Sequence, residues 1–74
     1  MNKTALTINE ASAYTGIGRN NLRLLVAWEK IPSLTIGRKL LIRTEVLDKF
    51  MKINEGNNLK HRKEVIAIKQ GMAV

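Results

Sequence analysis

No cysteine occurs among the 74 residues, so no disulfide staples the fold and no thiolate is there to hold a metal. Histidine is nearly as scarce, His61 being the only one. One imidazole beside scattered carboxylates is a poor donor set for structural zinc, and neither metal nor cofactor is expected. Long apolar runs are missing too: no stretch approaches the roughly 18 residues of a membrane span. No signal peptide is read at the start, so the expected compartment is the cytoplasm and no membrane partner is expected. Internal repeats and low-complexity tracts are also absent. So are catalytic constellations: there is no Ser/His/Asp set, no carboxylate pair in an apolar setting and no glycine-rich phosphate loop. Gly16-Ile17-Gly18 is too short a match for dinucleotide binding. The chain is expected to bind rather than to catalyse.

What the sequence has in excess is positive charge. Thirteen Lys/Arg against six Asp/Glu give a formal net charge of +7. Residues 1–53 hold nine against four, so +5, and residues 54–74 hold four against two, so +2. A body this basic implies an anionic partner, nucleic acid or a membrane surface, and charge alone does not separate the two. A merely soluble basic protein is the plainer alternative. Hydrophobic residues make up 45% of the chain, enough for a globular protein. At this length a single domain buries only about 60% of its unfolded surface, so every apolar residue counts.

Local signals divide the chain. Residues 1–5 read as a loose end, with Leu6 opening the structured part. Thr7-Ile8-Asn9-Glu10 spells a capping box, in which the hydroxyl accepts from the N3 amide while the carboxylate reaches back. The helix it starts carries Ile8, Ala11 and Tyr14 on one stripe with Ala13 beside it, and Thr15-Gly16 ends it. Ile17, alone between two glycines, is placed to plug the core. A second helix begins after Gly18, with Leu22, Leu25, Val26 and Trp28 inward, and Pro32 requires it to end near Trp28 to Lys30. Two short helices joined by a glycine-containing turn form a helix-turn-helix pattern.

Beyond Pro32 the pattern turns β-prone. Leu34-Thr35-Ile36, the turn Gly37-Arg38-Lys39 and Leu40-Leu41-Ile42 read as a hairpin with a basic tip. Thr44 resembles an N-cap, and a third helix from about Glu45 to Ile53 turns Val46, Leu47, Phe50 and Met51 inward. The expected class is α+β: a small winged helix-turn-helix of three short helices plus a two-stranded hairpin wing. Residues 1–53 form the winged-helix domain. Asn54-Glu55-Gly56-Asn57-Asn58 closes it, and residues 54–74 form a basic tail, a short helix or a disordered end. Val65, Ile68 and Met72 fall at helical spacing in that tail.

In a helix-turn-helix the second helix enters the major groove with its N-terminal residues against the base edges. Arg19, Asn20, Asn21 and Arg23 have suitable chemistry there, since arginine pairs bidentately with guanine and asparagine with adenine. The same residues also contact phosphate, or simply solvate a polar helix face. The wing tip, Arg38 and Lys39, is placed to reach a neighbouring minor groove, or to keep an exposed edge soluble. Arg43 is a candidate backbone contact. Thr7 is first a cap, although a helix N-terminus also attracts anions. Trp28 and Tyr14 are expected in the core, and His61 in solvent.

Taken together, Leu6-Thr7-Ile8-Asn9-Glu10-Ala11-Ser12, Gly16-Ile17-Gly18-Arg19, Ile31-Pro32, Ile36-Gly37-Arg38-Lys39 and Ile42-Arg43 resemble the excisionase family of small winged-helix proteins. That family is related to the DNA-binding head of the MerR regulators. The resemblance runs from about Leu6 to Met51, in order and spacing. It implies double-stranded DNA as partner, with Arg19, Asn20, Asn21 and Arg23 in the recognition helix and Arg38 and Lys39 at the wing tip. It further implies an architectural role: several copies bind direct repeats in an attachment-site arm, bend the DNA and help a tyrosine-family integrase assemble for excision. The same module also serves transcription regulators of mobile elements and prophages. A protein- or membrane-interaction module working through the basic tail is the remaining alternative. Two departures stand out. Many members carry a glycine before the Ile/Leu-Pro step where this chain has Glu29-Lys30, and the tail has no clear counterpart.

Overall fold

A computed structural model describes residues 4–68. The order is β1 (Ala5–Leu6), α1 (Ile8–Thr15), α2 (Arg19–Ala27), β2 (Leu34–Ile36), β3 (Lys39–Arg43) and α3 (Thr44–Ile53). The three helices and the helix-turn-helix arrangement match the sequence expectation. Among the described residues no helix is long and apolar enough to cross a membrane.

Helix α1 starts as its residues dictate. The Glu10 amide donates to Thr7 Oγ1 at 3.2 Å, and Glu10 Oε1 accepts from the Thr7 amide at 3.0 Å. Gly16 takes φ 80° and its N–H donates to the Ser12 carbonyl, closing the helix in a conformation that costs glycine little. Thr15 Oγ1 then donates to the Ala11 carbonyl and accepts from the Ile17 amide. That bond directs the turn and seats Ile17 half-buried against the core, as its isolation between glycines predicts.

The sheet has one more strand than expected. Its order is β1-β3-β2, antiparallel throughout, with β3 central. Ala5 pairs with Arg43 and Leu6 with Ile42, while β2 pairs Leu34, Thr35 and Ile36 with Leu41, Leu40 and Lys39. Ala5, expected in a loose end, is therefore part of the sheet. Residues 1–3 lie outside the described residues. Gly37 has φ 61° and is the first of two loop residues; Arg38 has negative φ. That combination has the form of a II′ hairpin turn, which suits the twist of the strands.

The core gathers Leu6, Ala11, Leu22, Leu25, Ile31, Ile42, Val46, Leu47 and Phe50, with Val65 and Ile68 from beyond α3. Each large side chain buried there contributes on the order of 1.5–3 kcal/mol. Trp28 packs partly buried against this cluster, as expected. Tyr14 does not: it is 50% exposed, and its hydroxyl donates to Asp48 Oδ1 at 2.7 Å. The hydrogen bond to that carboxylate is the main reason its phenol titrates above its ordinary value. Ala13 is exposed as well. The N-cap of α3 is Arg43, without a side-chain cap bond, and Thr44 is the first helical residue. Instead of capping, the Thr44 amide donates to the Thr4 carbonyl, continuing the β1–β3 edge.

The chain after α3 differs most from expectation. Residues 54–68 form turns and coil with no helix, yet they belong to the core. Asn54 is the buried polar residue that makes this work. Its Nδ2 donates to the Phe50 and Ile66 carbonyls, and its Oδ1 accepts from the Ile66 amide at 2.7 Å. Val65 and Ile68 are buried on either side of Ile66, and the Ile68 amide donates to the Lys30 carbonyl at 2.9 Å. Met72, the third residue of the helical spacing, lies outside the described residues.

Candidate nucleic-acid interface

Helix α2 buries Leu22 and Leu25 completely, which fixes its opposite face toward solvent. Arg19, Asn20 and Arg23 stand exposed on that face, with Asn21 half-buried beside them. Gly18 is the N-cap, and no side chain caps this end. Gly18, Arg19, Asn20, Asn21 and Arg23, joined by Lys60, line an open groove of about 510 Å³. Arg19 Nη1 donates to Asn9 Oδ1 at 3.4 Å and Arg23 Nη1 to Asn20 Oδ1 at 3.5 Å. Both bonds are long and solvent-exposed, so a phosphate or base edge replaces them at small cost.

The far end of α2 is closed by a Schellman pair. The Glu29 amide donates to the Val26 carbonyl and the Lys30 amide to the Leu25 carbonyl. Glu29 accordingly takes φ 61°, the left-handed conformation that favours glycine. Glycine would take this conformation at least cost, and here the helix closes with glutamate in it.

The other candidates lie outside this groove. Arg38 and Lys39 are exposed, Arg38 in the hairpin loop and Lys39 as the first residue of β3. Arg43 Nη2 meets Glu45 Oε1 at 3.0 Å, with both side chains about half exposed. Such a surface pair is worth at most about 1 kcal/mol, so it yields readily to a phosphate. The Thr7 hydroxyl serves the capping box. His61 is exposed, as expected, and its Nδ1 pairs with Glu64 Oε2 at 2.9 Å, which together with the Asn58 amide lowers the Glu64 pKa. Lys60 was not among the sequence candidates. It is distant from α2 in sequence, and only the refolding of the chain after α3 brings it to the groove.

Among the described residues no group of three or more His, Asp or Glu is placed to hold a metal. A family model described as a helix-turn-helix domain matches residues 5–54. No curated protein and no solved structure matches the chain. The matched segment runs from the first residue of β1 to the end of α3 and contains the whole first turn of α2. The chain belongs to this family of helix-turn-helix domains, a DNA-binding fold.

Proposed function

We propose that this protein is a sequence-specific architectural DNA-binding protein of the excisionase type. Arg19, Asn20, Asn21 and Arg23 enter the major groove and read base edges, while Arg38 and Lys39 on the wing and Arg43 beside it engage the flanking backbone. Thr7 holds the N-terminus of α1, where its helix end adds a backbone contact. The observation that carries this reading is the polar groove on the first turn of α2, held outward by two fully buried leucines. The order and spacing of the excisionase-like segments between Leu6 and Met51 support the more specific role.

In that role several copies occupy repeated sites in an attachment-site arm and bend the duplex for a tyrosine-family integrase. The protein breaks no bond itself. Bending a site of this size costs of order 1–6 kcal/mol, which phosphate contacts and contacts between neighbouring copies offset. Footprinting on attachment-site and promoter DNA of the host element tests the proposal. Protection of repeated sites in an attachment arm, weakening steeply with salt, is the expected result. Protection confined to a promoter would replace the excisionase role with transcription regulation, and no specific protection would refute both.

A further inference from the structure

Residues 57–64 form a loop tied down at both ends. At its start the Asn57 amide donates to the Asn54 carbonyl at 2.9 Å. At its end Val65 and Ile68 are buried, and Asn54 clamps the Ile66 backbone from both sides. The loop is also closed on itself. Asn58 Oδ1 accepts from the Lys60 amide at 3.0 Å, and the Asn58 carbonyl accepts from the His61 amide at 3.1 Å. The Glu64 carboxylate spans the loop, accepting from the Asn58 amide through Oε1 and pairing with His61 Nδ1 through Oε2. Leu59, next to Lys60, packs partly buried against the core. The backbone of Lys60 is thereby held in place while its side chain, exposed, lines the groove at the start of α2.

We propose that Lys60 is a phosphate-contacting residue that flanks the recognition helix, making this loop a DNA-binding element alongside α2 and the wing. The proposal rests on the DNA-binding reading above and extends it to a part of the chain beyond the matched helix-turn-helix segment. The chemistry favours phosphate over a base. Lysine is a compact point charge on a flexible stem, without the planar donor fork that distinguishes base edges. Elements beside a helix seated in the major groove meet the sugar–phosphate backbone. The loop's surroundings favour DNA over a lipid surface. Its apolar residue Leu59 turns to the core, and the groove that Lys60 shares is lined by arginine, asparagine and glycine. Arg62 and Lys63 are exposed in the same loop and add to its positive field.

The test compares full-length wild type, Lys60→Ala, Lys60→Arg and Arg23→Ala by equilibrium binding to a footprinted duplex and to a scrambled duplex across a salt series. Circular dichroism confirms that each variant is folded. Losing one phosphate contact lowers the log–log salt slope by about 0.9 and weakens binding about fivefold near 0.15 M salt. Lys60→Ala is expected to show both changes on both duplexes alike, leaving their affinity ratio unchanged, and Lys60→Arg to restore them. A wild-type slope and affinity for Lys60→Ala would overturn the assignment even with Arg23→Ala impaired. A Lys60→Ala loss confined to the footprinted duplex would also overturn it, by making Lys60 a base reader. Wild type that protects no duplex in the preceding footprinting would sink the DNA-binding reading itself, a result distinct from failure of Lys60 alone.

Discussion

Helix α2 and the β2–β3 hairpin carry similar cations on very different supports. Helix α2 rests on two fully buried leucines, with Gly18 at its start and the Schellman pair at its end. All three residues of β2 are exposed, Ile36 to 65%, and its sheet partner is β3. Strand β2 and the turn are therefore held by their pairing with β3 more than by burial of their own, while β3 is anchored in the core through Ile42. The contrast fits the tasks proposed for α2 and the wing. Reading bases needs side chains held to within a fraction of an ångström, whereas a phosphate contact tolerates compliance.

The harshest way to break this contrast removes the support common to both regions. Phe50→Ala empties a fully buried site under the sheet and helices and should cost about 3–5 kcal/mol. In a small domain that is much of the total stability, so urea denaturation should show a largely unfolded protein at low denaturant. Asn54→Ala should cost about 1–3 kcal/mol by the same measurement, because the Ile66 amide and carbonyl lose their partner inside the fold. It should also lower the salt slope of DNA binding by releasing the loop that carries Lys60.

Finer changes separate the regions. Gly37→Ala puts a Cβ on a residue with φ 61°, in open space, so the penalty is conformational and about 1–2 kcal/mol. Hydrogen exchange should then quicken at β2 and β3 amides while the α2 amides keep their protection. Equal quickening in both would show that the hairpin and α2 open as one unit. The smallest effect has the opposite sign. Glu29→Gly relieves a left-handed glutamate at the end of α2 and should raise stability by about 0.5 kcal/mol, read as a modest rise in Tm.

Features written in adjacent residues were legible in the sequence. The Thr7–Glu10 box, the Gly16 stop, the Leu22–Leu25 stripe and the Gly37 turn each depend on chemistry within one turn of chain. Features that depend on a distant partner were not. Strand β1 has two residues, too few for any alternation, and exists because β3 offers it an edge. Tyr14 has inward spacing, but Asp48 on α3 draws its hydroxyl to the surface. The chain after α3 reads as a tail because Asn54-Glu55-Gly56-Asn57-Asn58 has the composition of a turn that ends the domain. Asn54, composed like a turn residue, is what folds it back. Lys60 was missed as a groove residue for the same reason.

The most direct check on the proposal that α2 is the recognition helix is the ratio of affinities for a footprinted and a scrambled duplex, measured at one salt concentration for wild type, Arg19→Ala and Arg23→Ala. If α2 reads base edges, each arginine that does so should cost about 1–3 kcal/mol on the footprinted duplex, and the ratio should fall toward one. If both variants keep the wild-type affinity and ratio, α2 is not the element that reads the DNA.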